Sequence, residues 1–208
     1  MESSILWRRL DHPGHDACLL LRRDDRWHLA GNAAFVEGGR PCRLSYRVIC
    51  DAEWRTLAAR VEGSIGDESF EIALRVHPAL RRWKWNGAER RAVAGCTDVD
   101  LSFTPATNLL PIRRLGLQVG EEAPVRAAWL RLPELTLEPL EQVYRRTGDR
   151  TYRYESRAGR PDDPFAVELA VDGEGFVTHY PGLWQAEETA IEPAVDHGLA
   201  GPGRSRGR

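Results

Sequence analysis

Lysine is almost missing from this chain. Lys84 is the only one, and arginine supplies the rest of the positive charge. The bias runs through the whole chain instead of one patch, so GC-rich codon usage is its simplest account. Net charge is nearly missing too: at -2 it gives no field to draw in nucleic acid or an anionic membrane, and neither is expected as a partner. No run approaches the ~20 apolar residues that a membrane span needs. The start, Met1-Glu2-Ser3-Ser4-Ile5-Leu6-Trp7-Arg8-Arg9, lacks the form of a signal peptide, which places the protein in the cytoplasm as an expectation. The four cysteines, Cys18, Cys42, Cys50 and Cys96, form no Cys-x-x-Cys pair and are expected as free, packed thiols. His12 and His15 flank a Pro-Gly turn without further ligands nearby, so no metal site is expected. Nucleophile elbows, phosphate-cradling glycine loops and dinucleotide fingerprints are all lacking, so no cofactor is expected.

Period-two alternation is what the sequence has in quantity. Leu44, Tyr46 and Val48 alternate with Arg43, Ser45 and Arg47; Phe70, Ile72, Leu74 and Val76 alternate with Glu71, Ala73 and Arg75. Val99, Leu101 and Phe103 interleave with Asp98, Asp100 and Ser102, and Phe165, Val167, Leu169 and Val171 with Ala166, Glu168 and Ala170. Each run reads as a strand with one buried face. Turn residues separate them at roughly ten-residue spacing, among them Asp24-Asp25, Gly38-Gly39, Asn86-Gly87 and Asp172-Gly173. The sequence therefore predicts a mainly β protein, a meandering antiparallel sheet of about ten to fourteen strands. One domain is expected over residues 1–184, with a disordered, polar, Gly-rich tail over 185–208. One stretch breaks the pattern. Leu109, Ile112 and Leu115 recur at three-residue spacing, which predicts a short helix within Asn108–Gln118, capped by Thr107 or Asn108 and ended by Gly116.

The residues around that stretch are the densest polar cluster. Asp98 and Asp100 precede Thr107 and Asn108, and Arg113 and Arg114 follow. Two readings stand. Carboxylates, hydroxyls, an amide and guanidinium groups suit recognition of sugar hydroxyls or a phosphate head group. Alternatively, the Thr, Asn and Asp side chains satisfy backbone donors at a strand-to-helix junction, and Arg113 pairs with Asp98 or Asp100 inside the fold. Trp83 and Trp85 share one face of a strand beside Arg81, Arg82 and Lys84; they form a stacking surface or pack in the core. An enzymatic reading would enlist Asp98, Asp100 and Glu141, and needs two carboxyls open to one pocket.

The run Asp98-Val-Asp-Leu-Ser-Phe-Thr-Pro-Ala-Thr-Asn-Leu-Leu-Pro-Ile-Arg-Arg-Leu115 resembles the signature of a bacterial family labelled glycolipid-binding. Gly95-Cys96, Trp83-x-Trp85, the stretch Leu135 to Tyr144 and Tyr152-Arg153-Tyr154 are similar to it as well. The resemblance spans about residues 3–184 and departs at Leu109, where the family more often has threonine. It implies a large antiparallel sheet coiled into a β-roll around one central helix, like the lipoprotein carriers of the bacterial envelope. It also implies, by likeness of shape, non-enzymatic binding of a glycolipid or other amphiphile in an apolar groove. On that expectation Trp83 and Trp85 stack, Asn108, Arg113 and Arg114 meet the head group, and Asp98, Asp100 and Thr107 line the site. The rival to both binding and catalysis is an interaction scaffold with a filled core.

Overall fold

The computed structural model describes residues 2–158 and 165–187. Strands β1 (Glu2–Arg9), β2 (Gly14–Arg23), β3 (Arg26–Glu37), β4 (Arg40–Cys50), β5 (Thr56–Ile65), β6 (Glu68–His77), β7 (Arg82–Trp85) and β8 (Ala88–Glu89) form a continuous meander. The chain then crosses to β9 (Asp98–Leu101), passes through a 3-10 turn (Pro105–Asn108) and helix α1 (Leu109–Leu115), and resumes. A second meander follows: β10 (Glu122–Arg131), β11 (Thr136–Gly148), β12 (Thr151–Ser156), β13 (Phe165–Val171), β14 (Val177–Tyr180) and β15 (Trp184–Ala186).

All fifteen strands belong to one sheet, in which β1 and β15 meet at the centre while β8 and β9 are the edges. The hairpins are tight where the sequence places residues that tolerate positive φ. Asp24 and Asp25 take φ of 48° and 57°, and Asn86 and Gly87 take 45° and 85°. The expectation of a purely antiparallel sheet needs one correction: β9 pairs with β10 in parallel, because the chain reaches β9 by a crossover and leaves it through the helix.

The sheet does not close as a barrel; it rolls. Its far edge packs back on the first meander without a strand ladder between them. Thr56 Oγ1 accepts from the Val99 amide at 3.0 Å, and the Trp83 indole donates to the Cys96 carbonyl at 3.0 Å. The Arg81 guanidinium ties the same place together, donating to the carbonyls of Thr56 at 3.0 Å and Thr97 at 2.6 Å. Strand β9 is consequently covered on both faces, and Asp98, Val99 and Leu101 are all buried.

The 3-10 turn and α1 sit inside the roll. Pro105 to Ile112 is buried at every position, and both meanders touch it. Phe103, just ahead of the turn, lies edge-on to Tyr46 of β4 at 5.7 Å between centroids. Asn108 reaches Tyr144 of β11, and Gly175, before β14, lies against Leu109 and Ile112. The start is capped one turn earlier than expected, by Thr104, whose hydroxyl accepts from the Ala106 amide at 3.0 Å. Gly116 ends α1 in the left-handed conformation at φ 55°, as its position predicts. Gln185 and Ala186 belong to β15, two residues beyond the expected domain limit of 184; the tail from 188 onward lies outside the described residues.

Candidate functional site

The predicted cluster divides into three environments. Asp98 and Arg114 form a buried, two-pronged ion pair, with Nε at 3.1 Å and an Nη at 2.6 Å from the carboxylate. The expectation that Arg113 is the internal partner is corrected: adjacent residues on a helix point about 100° apart, and Arg114 is the one turned toward β9. Burial pushes the Asp98 carboxyl up despite the guanidinium beside it.

Asp100 and Asn108 join an interior polar network. The Asn108 amide donates to the Tyr144 hydroxyl at 2.8 Å, and the Tyr144 and Tyr154 rings lie 5.0 Å apart. Gln142 Nε2 reaches both the Tyr154 hydroxyl, at 3.1 Å, and the Asp100 carboxylate, at 2.7 Å. Burial raises the Asp100 pKa to about 6, and the Gln142 amide draws it back in part. Thr107 serves the backbone: its hydroxyl accepts from the Leu101 amide at 3.2 Å.

Arg113 stands apart. Its guanidinium lies over the Trp54 ring at 5.0 Å, on the wall of a cleft of about 430 Å³. Trp83 is fully buried with its indole bonded to Cys96, so it presents no ring face to a ligand. Trp85 is half-buried beneath Arg90, 5.4 Å from its centroid. Glu141 pairs with Arg126 at 2.9 Å on the outer face, whereas Asp98 and Asp100 face inward, so these three carboxyls do not share a pocket.

A larger cleft, of about 870 Å³, lies across β1 to β5 on the outer face of the sheet. Two adjacent cross-strand rows build it. One runs Leu6, Ala17, Asn32, Ser45, Glu62; the other runs Ser4, Leu19, Ala30, Arg47, Arg60. Beneath them the inner row Ile5, Cys18, Gly31, Tyr46 is buried. The outer residues on β2 and β3 are mostly small, and this makes a trough between larger neighbours. Its β1–β2 end is mainly apolar, with Leu6, Ala17 and Leu19 beside the single hydroxyl of Ser4. Its β4–β5 end is polar, with Ser45, Arg47, Arg60 and Glu62. Arg60 is held by Glu62 at 3.0 Å and Glu71 at 3.3 Å, while Arg47 makes no ion pair among the described residues.

Gly31 permits the strand packing beneath the trough. A Cβ there would lie 2.3 Å from the Tyr46 ring. With that space free, Tyr46 crosses the strand and donates to Asp16 at 2.9 Å. Thr104, ahead of the 3-10 turn, donates to the same Asp16 oxygen. The other Asp16 oxygen is buried without a partner among the described residues, and burial raises this carboxyl to about 6. Sequence reading missed both the trough and this triad, since neither is local. The available signal was the recurrence of small residues at outward positions of successive strands: Ala17, Ala30, Ser45, Ala58 and Ala73.

Among the described residues, no helix is long and apolar enough to cross a membrane. No curated protein matches the sequence. The structure is similar to that of a DUF1089 family protein from Pseudomonas aeruginosa, with a TM-score of 0.68 at 33% identity. The match covers 80% of this chain and 89% of that one. A family model described as "Putative glycolipid-binding" matches residues 4–186, and the chain belongs to that family.

Proposed function

We propose that the protein binds an amphiphile of the glycolipid class without transforming it, and that the outer trough across β1 to β5 is where it does so. One observation carries this reading: the trough divides along its length into a mainly apolar end, where Ser4 is the one polar side chain, and a hydrogen-bonding end. An alkyl chain would lie over Leu6, Ala17 and Leu19, each covered methylene contributing roughly 0.8 kcal/mol. The hydroxylated head would meet Asn32, Ser45, Glu62 and Arg47, which between them offer both donors and acceptors. The volume of about 870 Å³ falls in the range of about 300–1,000 Å³ usual for small-molecule sites, which suits one chain and a small head better than a bulky multi-chain lipid. The family label is in keeping with this chemistry.

The test is titration of the protein with octyl glucoside below its micelle concentration, followed by calorimetry and amide chemical shifts. Shifts should map to β1–β5. Ala30→Trp should abolish binding by filling the trough while leaving the fold intact, since its position faces outward and Trp suits a strand. Binding unchanged in Ala30→Trp, or no saturable binding by the unaltered protein, would overturn the proposal.

A further inference from the structure

A second cleft lies where the C-terminal end of α1 meets the turns before β12 and after β13. It encloses about 430 Å³, and it shares no lining residue with the outer trough. Three guanidinium groups from three parts of the chain border it: Arg113 of α1, Arg146 of β11 and Arg150 of the β11–β12 turn. None of the three forms an ion pair among the described residues, whereas ten other described arginines do, Arg114 next door included.

Two of the three are fixed from behind. Arg113 is half-buried and lies over Trp54, which itself stacks on Trp27 at 4.2 Å, and it makes no side-chain hydrogen bond among the described residues. Arg146 lies 5.9 Å from the Tyr152 centroid and donates to the carbonyls of Leu117, Gly148 and Asp149 at 2.9 to 3.2 Å, so its charge is held in place but not neutralised. A half-buried, ring-backed guanidinium with all its N–H groups free is the group best matched to a tetrahedral oxyanion, because its planar fork meets two oxygens at once.

The same cleft is bordered by Asp149, Asp172 and Glu174. One Asp172 oxygen accepts from the Glu174 and Phe176 amides at 2.9 Å and so belongs to its turn. The remaining carboxylate oxygens repel a bare anion but accept hydrogen bonds from hydroxyls. We infer that this cleft binds a phosphate or sulfate ester carried on a hydroxylated ring, with Arg113 and Arg150 gripping the ester and the bordering carboxylates taking the hydroxyls. This site does not rest on the trough reading, and soluble probes without an alkyl chain test it separately.

The experiment is calorimetric titration of the full chain with glucose 6-phosphate, glucose 6-sulfate, inorganic phosphate and glucose, together with the Trp54 indole N–H signal. The two esters should bind saturably and shift the Trp54 signal, and inorganic phosphate and glucose should each bind more weakly. Arg113→Gln should weaken the esters at least about tenfold, the scale of losing charge-assisted hydrogen bonds. Arg150→Gln, at an exposed position where folding is not at stake, should weaken them too. Arg145→Gln, a neighbouring charge outside the cleft, and Ala30→Trp should both leave binding unchanged. Inorganic phosphate binding as tightly as the esters would overturn the role given to the carboxylates. Absence of saturable binding by any ester, or binding by Arg113→Gln and Arg150→Gln as tight as that of the unaltered protein, would overturn the site.

Discussion

Asp16 should contribute stability that falls with rising pH, in a window where most carboxylates contribute the opposite. Its carboxyl is 0% exposed, and among the described residues its hydrogen bonds come only from Tyr46 and Thr104 and no cation pairs with it. Burial therefore disfavours the charged form and lifts its pKa from 3.8 to about 6. Between those two values the folded state holds a proton that the unfolded state releases, so the contribution of Asp16 is full below about pH 4 and is lost as pH rises through 6. Raising the carboxyl from 3.8 to about 6 corresponds to about 3 kcal/mol. Asp16→Asn keeps the shape and removes the titration. Urea unfolding of both proteins from pH 4 to 7.5 should show the asparagine variant gaining about 2.4 kcal/mol relative to the original across that range. Taking the difference cancels the other carboxyls, including Asp100, which burial raises to about 6 as well. A difference that stays flat within about 0.5 kcal/mol, or falls with pH, would refute the argument that this carboxyl is buried without compensation.

Two further expectations concern packing. Gly31→Ala places a methyl carbon 2.3 Å from the Tyr46 ring and 2.6 Å from the Ala17 carbonyl oxygen. It should cost about 1–3 kcal/mol and lower Tm by roughly 2–12 °C in a thermal melt; an unchanged Tm would contradict the close strand approach. Arg114→Met strands the Asp98 carboxyl, which is 1% exposed, and should cost about 3–5 kcal/mol in urea unfolding, while adding Asp98→Val should restore much of that loss.

The local parts of the fold were legible because their causes are local. Alternation at 44–48, 70–76 and 165–171 became β4, β6 and β13, and Asp24-Asp25 and Asn86-Gly87 became tight hairpins. The helix followed from three apolar residues at helical spacing and a terminal glycine. What was not legible depends on which face of a strand turns inward and which strands meet. Trp83 and Trp85 were placed on one face correctly, yet only the roll determines that Trp83 is sealed inside. Asp98 and Asp100 read as a polar face, but β9 is a covered parallel edge, so both face the interior. One residue of rotation on α1 separates Arg114, locked to Asp98, from Arg113, which borders an open cleft. The trough is harder still: Leu6 and Glu62 share a row only through four successive pairings, each fixed by a separate register.

The central position of β1 and β15 bears on how the molecule is made. Their ladder is short, joining Trp7, Arg8 and Arg9 to Ala186, Gln185 and Trp184, yet it is the seam between two large meanders. Each meander can assemble by zipping neighbouring hairpins as it leaves the ribosome. The seam joins residues nearly the whole chain apart, so it carries the largest loop-closure entropy and forms last. Until Trp184 emerges, β1 is an exposed edge on a long sheet, open to pairing with another nascent copy.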